Sequence, residues 1–307
     1  MSLRNSQGVG LQAPETLGSQ DLSRPFHDLR CAVRGAVELA PLDTFARMAE
    51  AVRYETRGAI GLITLARPDN RNSMTPELLD AFAAASARAK ADATIRVLVV
   101  TGSGACFSSG ADFKSTLQRQ DDDRAPHEKS FAMYEPFLSL LDLRVPVIGA
   151  LNGHTVGGGF GLALVCDLRI GVLDAKYGAN FVKLGLAPGM AISYMLPRLI
   201  GIAHASDLLL TGRLVDGVEA ERLGILNRAV PAEDVMTVAM ELAQTIAANA
   251  PFAVQETKLA IRRGLGLEIV DGARAESHVQ AASVAMDDAR EGIAAFMAKR
   301  PPVFTGR

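Results

Sequence analysis

Two glycine-rich loops carry the residue types that could stabilise negative charge on an oxygen atom. Gly157, Gly158 and Gly159 follow the apolar stretch Val147–Leu151 and precede small and apolar residues that predict a helix. Glycines leave no Cβ where backbone must approach something bulky. A helix start also presents unpaired N–H groups and the positive end of its dipole. The pattern favours a main-chain oxyanion site, with tight helix–strand packing as the structural alternative.

A second glycine loop upstream strengthens the charge-stabilising interpretation. The apolar run Ile95–Val100 predicts a buried strand, and it leads into Ser109-Gly110-Ala111-Asp112-Phe113-Lys114. Each glycine loop therefore follows a buried strand of the same domain. A dinucleotide-binding interpretation fails on spacing, because Leu162 and Leu164 stand where a third glycine would be required.

Composition excludes several classes of function. The 307 residues are 49% hydrophobic and 21% charged with a net charge of −2, which is typical of a globular protein and gives no electrostatic case for nucleic acid. No apolar run reaches the ~20 residues of a membrane span. Cys31, Cys106 and Cys166 lack metal-ligand spacing and suit a reducing compartment, while residues 121–123 are better explained as a solvated charge run than as a metal site. We therefore expect a cytoplasmic protein without a metal, a nucleic-acid partner or a membrane span.

The chain divides into three parts by composition and pattern. Residues 1–51 begin with a stretch rich in Ser, Gln, Gly and Pro, which predicts a flexible or helical, non-catalytic N-terminal extension. In residues 52–230 short apolar strands alternate with helices, which is typical of an α/β core with mostly parallel strands. Residues 231–307 predict helices only and form the expected C-terminal helical subdomain.

Capping residues predict where two helices begin and end. Thr75 followed by Pro76 is a typical helix start, and the helix should bury a face that contains Leu78, Phe82, Ala85 and Ala89. Asp216 predicts the start of a short helix that stops at Gly224.

Six separated motifs occur in an order that identifies a family. They are Arg67-Pro68, the loop Ser109 to Lys114, the loop Asn152 to Gly159, Leu184-Gly185 with Pro188-Gly189, Leu210-Thr211-Gly212-Arg213, and Ala220 with Gly224-Ile225-Leu226. Together with the tail from Asp288 to Pro301, they make residues 52–307 resemble the enoyl-CoA hydratase/isomerase (crotonase) superfamily.

The resemblance implies a fold, a substrate class and an assembly. The implied fold is α/β, a crotonase-like spiral of ββα units with a C-terminal helical trimerisation subdomain. The implied substrate is an acyl-CoA thioester, so coenzyme A enters as part of the substrate and no separate cofactor is expected. The implied assembly is a homotrimer or a hexamer.

The resemblance also assigns site residues. By motif position, the backbone N–H groups of Ala111 and Gly158 form the oxyanion hole. The residues expected to bind or line the substrate are Arg67, Asn72, Met74, Asp112, Lys114 and Phe181.

Both carboxylates of the family's hydratases are missing from this chain. The first glutamate position holds Gly161 and the second holds Phe181. Neither residue can hold and deprotonate a water molecule. Hydration by the family's two-glutamate route is therefore not expected.

Several residues are candidates to replace the missing groups. Glu135 is the best spare carboxylate, because it lies with Tyr134 on the helix that in relatives walls the acyl pocket. His154 is better explained as a packed, hydrogen-bonded histidine than as a base. Strand alternation from Phe181 would aim Lys183 to the same side. The functional alternatives are an acyl-CoA enzyme with an unusual acid/base set, an acyl-CoA-binding protein with little or no catalysis, and a thioester decarboxylase or C–C lyase.

Overall fold

The computed structural model describes residues 51–112, 125–264, 282 and 286–307. Apart from Ala51, the predicted N-terminal extension lies outside the described residues, as do Lys114 and the aspartates at 121–123. The division of the chain into an extension, a core and a helical subdomain stays a prediction.

A six-stranded sheet forms the centre of the described structure. In spatial order its strands are β1 (Val52–Arg57), β2 (Ile60–Leu65), β3 (Val97–Gly102), β5 (Val147–Leu151), β7 (Leu168–Val172) and β9 (Arg228–Val230). The β1–β2 pair is antiparallel, and every other neighbouring pair is parallel. Strand β5 is buried along its whole length and β3 as far as Thr101, which explains why they read as continuous apolar runs.

A second sheet contains three short parallel strands, β4 (Cys106–Ser108), β6 (His154–Val156) and β8 (Tyr177–Gly178). Each follows a strand of the large sheet along the chain, so β3–β4, β5–β6 and β7–β8 repeat one arrangement. With the helices that follow these pairs, this repetition agrees with the expected spiral of ββα units. The sequence did not predict the small sheet, because strands of two or three residues are too short to show alternation.

Nine α-helices are present in the described part of the chain. They are α1 (Pro76–Ala91), α2 (Pro126–Leu138), α3 (Gly158–Val165), α4 (Ile192–Ile200), α5 (Ile202–Thr211), α6 (Gly217–Leu223), α7 (Val235–Ala247), α8 (Pro251–Gly264) and α9 (Asp287–Met297). None of these described helices is long and apolar enough to cross a membrane.

The two predicted helix starts are confirmed. The Thr75 hydroxyl accepts a hydrogen bond from the Leu78 N–H at 3.3 Å at the start of α1. The Asp216 carboxylate accepts from the Glu219 N–H at 2.9 Å at the start of α6, and Gly224 ends that helix with φ +84°. Local capping chemistry therefore predicted these boundaries correctly.

The hydrophobic core lies between the large sheet and the helices. The predicted apolar face of α1 is buried, and its Phe82 meets Phe137 of α2 edge to face at 4.8 Å. Helix α7 contributes Val235, Ala239 and Ala243 to the same core. Helix α2 is thereby held on α1, and α7 packs against β3 and β5, the strands that precede the two glycine loops.

Candidate active site

The two glycine loops meet main chain against main chain. A Cβ on Gly110 would lie 2.8 Å from the amide nitrogen of Gly158 and 2.8 Å from the carbonyl oxygen of Val156. Gly110 also has φ +84°, a conformation that L side chains rarely adopt. Position 110 therefore requires glycine for two independent reasons. The contact brings the loop that carries Ala111 against the first residue of α3.

The two amides that the sequence assigns to the oxyanion hole have no partner among the described residues. Gly158 begins α3, and the Gly161 N–H is the one that reaches back to the Gly157 carbonyl, at 3.1 Å. Ala111 forms an isolated bridge with Met74, but its hydrogen bond runs from the Met74 N–H to the Gly110 carbonyl at 2.8 Å. Both amides are thus placed to donate to a ligand oxygen, and the donor role itself stays a prediction.

Asn72 connects the upstream glycine loop, which begins at Ser109, to the segment that precedes α1. Its side chain is fully buried, and its Oδ1 accepts from the Arg67 N–H at 2.8 Å. Its Nδ2 donates to the carbonyls of Ser103 at 3.0 Å and Cys106 at 2.8 Å. The Ser108 hydroxyl donates to the Asn72 carbonyl at 2.8 Å. Because every polar atom of this side chain has an internal partner, the geometry supports a positioning role rather than substrate contact.

The other residues expected to contact the substrate differ in their surroundings. Met74 is buried against α3, and a Cβ on Gly158 would overlap its Sδ atom. The Arg67 side chain is one-third exposed and lies 3.8 Å from the Asp69 carboxylate, so it remains accessible to an anionic group. Asp112 is half-buried. Substrate contacts by these residues stay predictions.

Met190 fills the space next to Gly161, the position that the resemblance assigns to the family's first glutamate. A Cβ on Gly161 would overlap the Met190 Cβ and lie 3.0 Å from its Cγ. Met190 is almost completely buried, with φ +56°, and Ala191 follows with φ +53°. Two consecutive non-glycine residues in the left-handed region cost about 1–2 kcal/mol each, and such strain concentrates at functional sites.

The Tyr134 hydroxyl lies against the same turn. A Cβ on Gly189 would overlap the Tyr134 Oη and lie 2.8 Å from its Cζ. Tyr134 is half-buried on α2 and packs on the core, and its hydroxyl has no hydrogen-bond partner among the described residues. Glu135, the candidate base from the sequence, is exposed. The side chain that α2 places against the turn is therefore the phenol and not the carboxylate.

A family model described as enoyl-CoA hydratase/isomerase matches residues 55–307. The chain belongs to this family. The probable enoyl-CoA hydratase echA8 of Mycobacterium tuberculosis is 36% identical over 258 residues, 84% of this chain and 99% of that protein. The putative enoyl-CoA hydratase of Thermus thermophilus is 37% identical over 252 residues, 81% of this chain and 98% of that protein.

Solved structures show the same fold. A putative enoyl-CoA hydratase/isomerase from Mycobacterium abscessus has a TM-score of 0.80 at 32% identity, covering 84% of this chain and all of that one. An enoyl-CoA hydratase from Bacillus anthracis has a TM-score of 0.78 at 31% identity, with the same coverage. The predicted crotonase-like α/β fold is thereby confirmed.

The prediction of a strand around Phe181, the position that the resemblance assigns to the family's second glutamate, is wrong. The strand β8 stops at Gly178, and residues Phe181–Leu184 form a 3₁₀-helix that Gly185 ends with φ +71°. Side chains three residues apart eclipse in a 3₁₀-helix, so Lys183 does not share a side with Phe181. Phe181 is half-buried on the core, whereas Lys183 is exposed.

The surroundings of His154 and of the buried cysteines favour structural rather than catalytic roles for these residues. The His154 Nδ1 accepts a hydrogen bond from the Lys176 N–H at 2.9 Å, although the residue is exposed. Burial raises the pKa of the Cys166 thiol to about 12 and also raises that of Cys106, which leaves both as poor nucleophiles. Within the described ranges, no group of three His, Cys, Asp or Glu side chains could hold a metal ion.

The sequence did not predict the packing of Met190 on Gly161 or of Tyr134 on Gly189. Both contacts join segments far apart along the chain. The one local signal is the family's Pro188-Gly189 turn, here followed by a large residue at position 190.

Proposed function

We propose that this chain is an acyl-CoA thioester enzyme that stabilises an enolate in a backbone oxyanion hole formed by Ala111 and Gly158. The observation that carries the proposal is the pair of amides that have no partner within the described part of the chain, on two loops in direct main-chain contact. One such donor is typically worth about 3 kcal/mol of transition-state stabilisation. Coenzyme A enters as part of the substrate, and neither a separate cofactor nor a metal is required.

Hydration by paired carboxylates is not the reaction that these residues favour. Positions 161 and 181 hold Gly and Phe, and Met190 takes the space in front of Gly161. A lyase or isomerase reaction must therefore use a different proton-transferring group. A thioester decarboxylase or C–C lyase is the second candidate, because an enolate formed by breaking a C–C bond needs no carboxylate at position 161 or 181 to activate water. Acyl-CoA binding without catalysis is the alternative from another functional class.

The proposal extends to assembly and location. Family resemblance favours a homotrimer or hexamer, and large apolar side chains on α4, α5 and α6 are exposed on the single chain, namely Tyr194, Ile202, Leu210 and Val218. Light scattering is expected to give three or six times the 32.5 kDa of one chain. A stable monomer at micromolar concentration would refute the assembly. We place the enzyme in the cytoplasm, without a nucleic-acid partner.

Two ligands that differ by one oxygen atom test the oxyanion hole. Butyryl-CoA has a thioester carbonyl, and S-butyl-CoA is its thioether without that oxygen. Calorimetric titration of the full chain should show several-fold tighter binding of butyryl-CoA, because one or two net hydrogen bonds contribute about 0.5–1.5 kcal/mol each. Equal affinity for the two ligands would contradict the proposal.

Two variants at position 158 test whether the preference for butyryl-CoA over S-butyl-CoA comes from the Gly158 amide. Gly158→Ala keeps the N–H but adds a Cβ that displaces the Met74 thioether, whereas Gly158→Pro adds a Cβ at the same place, closes a ring onto the backbone nitrogen and so removes the N–H. The preference for butyryl-CoA should persist in Gly158→Ala and fall in Gly158→Pro. Binding by all variants with no turnover of any thioester would favour the binding-protein alternative.

A further inference from the structure

A cavity of about 340 Å³ lies at the C-terminal end of α3, the end opposite the Gly158 amide. Its lining comes from the last residues of α3, the turn into β7, helix α4, Arg262 of α8 and Leu141. Because α3 has eight residues, its two ends are about 12 Å apart. The cavity contains none of the residues assigned to the oxyanion hole, and its volume lies within the range of small-molecule sites.

Positive charge exceeds negative charge among the residues that line this cavity. Three guanidinium groups, those of Arg169, Arg198 and Arg262, face one carboxylate, that of Asp167. The Asp167 carboxylate is already shared, because Lys258 Nζ lies 2.8 Å and Arg262 Nη2 lies 2.9 Å from its two oxygens. Arg169 and Arg198 are therefore left without an ion pair in the described part of the chain.

Arg169 is a buried cation that backbone carbonyls hold in place. Its side chain belongs to a residue only 5% exposed. Its Nε donates to the Ile225 carbonyl at 2.7 Å, and its Nη1 donates to the Cys166 carbonyl at 2.6 Å. Burial lowers the pKa of Arg169, which indicates that these carbonyls do not fully compensate for the loss of water around the charge.

The remaining nitrogen of the Arg169 guanidinium is available to a ligand. No described residue accepts a hydrogen bond from Nη2. The polar side-chain atoms that are sealed without a partner within the described ranges are Asn70 Oδ1 and Ser103 Oγ, so Nη2 is not sealed. Since Arg169 is almost completely buried and lines the cavity, its accessible nitrogen faces that cavity. A guanidinium presents its N–H groups in a planar fork that suits a carboxylate.

Most of the other lining residues are apolar. They are Leu141, Leu164, Val165, Met195 and Leu199. A small polar anion would leave this apolar surface uncovered, and a neutral apolar molecule would leave the guanidinium groups unpaired. The lining therefore matches a ligand that carries one anionic group on an aliphatic body.

We propose that this cavity is a second binding site and that its ligand is a short aliphatic carboxylate. The carboxylate oxygens accept hydrogen bonds from the guanidinium groups of Arg169 and Arg198, and the aliphatic chain packs on the apolar lining. The site binds its ligand without making or breaking a covalent bond. This inference does not depend on the proposed function, because the cavity and the oxyanion loops have no residue in common.

Hexanoate is the probe, and the full chain is titrated in its native assembly by calorimetry. Saturating butyryl-CoA is present, so that the acyl-CoA site is occupied. Hexanoate should bind saturably, with one molecule for each chain. 1-Hexanol, which has the same chain without the charge, should bind at least about 10-fold more weakly, because hydrogen bonds to charged groups contribute about 1.5–3 kcal/mol each. Inorganic phosphate should also bind at least about 10-fold more weakly, since it has no aliphatic body.

Variants at two arginines test the contacts. Arg198→Gln changes an exposed side chain, so the fold should survive, and it should weaken hexanoate binding about 10-fold. Arg169→Met removes the buried charge and should abolish binding. Because Arg169 also holds carbonyls at the end of α3, Arg198→Gln decides the matter if the Arg169 variant does not fold. The control is Arg57→Gln, which removes an exposed arginine on β1, outside the cavity, and should leave binding unchanged.

Four results would overturn the inference. The first is hexanoate binding that disappears when butyryl-CoA is bound, which would place hexanoate in the acyl-CoA site. The second is native affinity in Arg198→Gln. The third is equal affinity for hexanoate and either 1-hexanol or phosphate. The fourth is the absence of binding by the native assembly, as expected if a neighbouring subunit closes the cavity.

Discussion

The Met190 side chain occupies the space into which a side chain at position 161 would point. The space next to position 161, where the family resemblance predicts a carboxylate, is therefore filled by another side chain. Met190 and Ala191 both have left-handed backbone conformations. A glutamate restored at position 161 would therefore meet a packed thioether rather than an open pocket.

Alanine at position 161 should destabilise the protein, against the usual trend. Gly→Ala inside a helix normally stabilises by about 0.5–1 kcal/mol. In Gly161→Ala the added Cβ overlaps the Met190 Cβ, and overpacking of this kind costs about 1–3 kcal/mol. Urea denaturation checks the sign. In a Met190→Gly background the same change should become neutral or stabilising, and an equal loss in both backgrounds would disprove the contact.

Crotonyl-CoA should be hydrated very slowly. Enzymes commonly turn over at about 1–10³ per second, and general acid–base groups contribute about 10²–10⁴-fold. Because both carboxylates are absent, we expect a rate about 10⁴-fold or more below that range in an absorbance assay of the enoyl thioester. Ordinary turnover would mean that another group supplies the base. In that case Glu135→Gln is the first variant to measure, and retained activity there would exclude Glu135.

Loss of the Asn72 amide should weaken the fold and the glycine loop together. Asn72→Ala leaves the Arg67 N–H and the carbonyls of Ser103 and Cys106 without their buried partner. At about 1 kcal/mol for each hydrogen bond, the free energy of unfolding should fall by about 2–4 kcal/mol. Thermal or urea denaturation measures the loss. A change below 0.5 kcal/mol would show that the side chain does not hold the loop.

The carboxylate of Glu291 should make the stability of the C-terminal tail depend on pH. Hydrogen bonds from the Arg300 guanidinium and the Val303 N–H lower the pKa of Glu291 from 4.5 to about 2. A folded-state pKa below the unfolded value stabilises the fold above about pH 4.5, and the effect is lost as the pH falls towards about 2.

The measurement compares Tm for the native chain and Glu291→Gln between pH 7 and pH 3. The native chain should have the higher Tm at pH 7, and the difference should narrow below pH 4.5. A difference that stays constant over this range would contradict the assignment. The control is Asp207→Asn, which removes a carboxylate from a different ion pair, the one between Asp207 and Arg213.

Local chemistry determined what could be predicted from the sequence. Thr75 and Asp216 cap their helices by accepting hydrogen bonds from residues three positions further on. The local sequence alone therefore located those boundaries. The glycines at 157–159 follow a strand that is apolar throughout, and the helix they were expected to begin starts at Gly158. Such signals are contained in a few adjacent residues.

Tertiary packing determined what could not be predicted. Tyr134 meets Gly189 across more than fifty residues, and no local pattern encodes that contact. The expected strand at Phe181 failed because Asn180 already adopts a turn conformation that leads into a 3₁₀-helix. Asn72 was expected to contact the substrate. Its side chain is instead buried, where it donates to carbonyls 31 and 34 residues further along the chain.

The carbonyl stretching frequency of a bound thioester tests the central claim most directly. Difference infrared spectroscopy with butyryl-CoA labelled with ¹³C at the carbonyl compares the free and bound ligand. If the amides of Ala111 and Gly158 polarise the carbonyl, the band should move to lower frequency in the native chain and in Gly158→Ala, and by much less in Gly158→Pro. A bound ligand whose carbonyl band stays at its position in water, or shifts equally in all three proteins, would contradict the oxyanion hole.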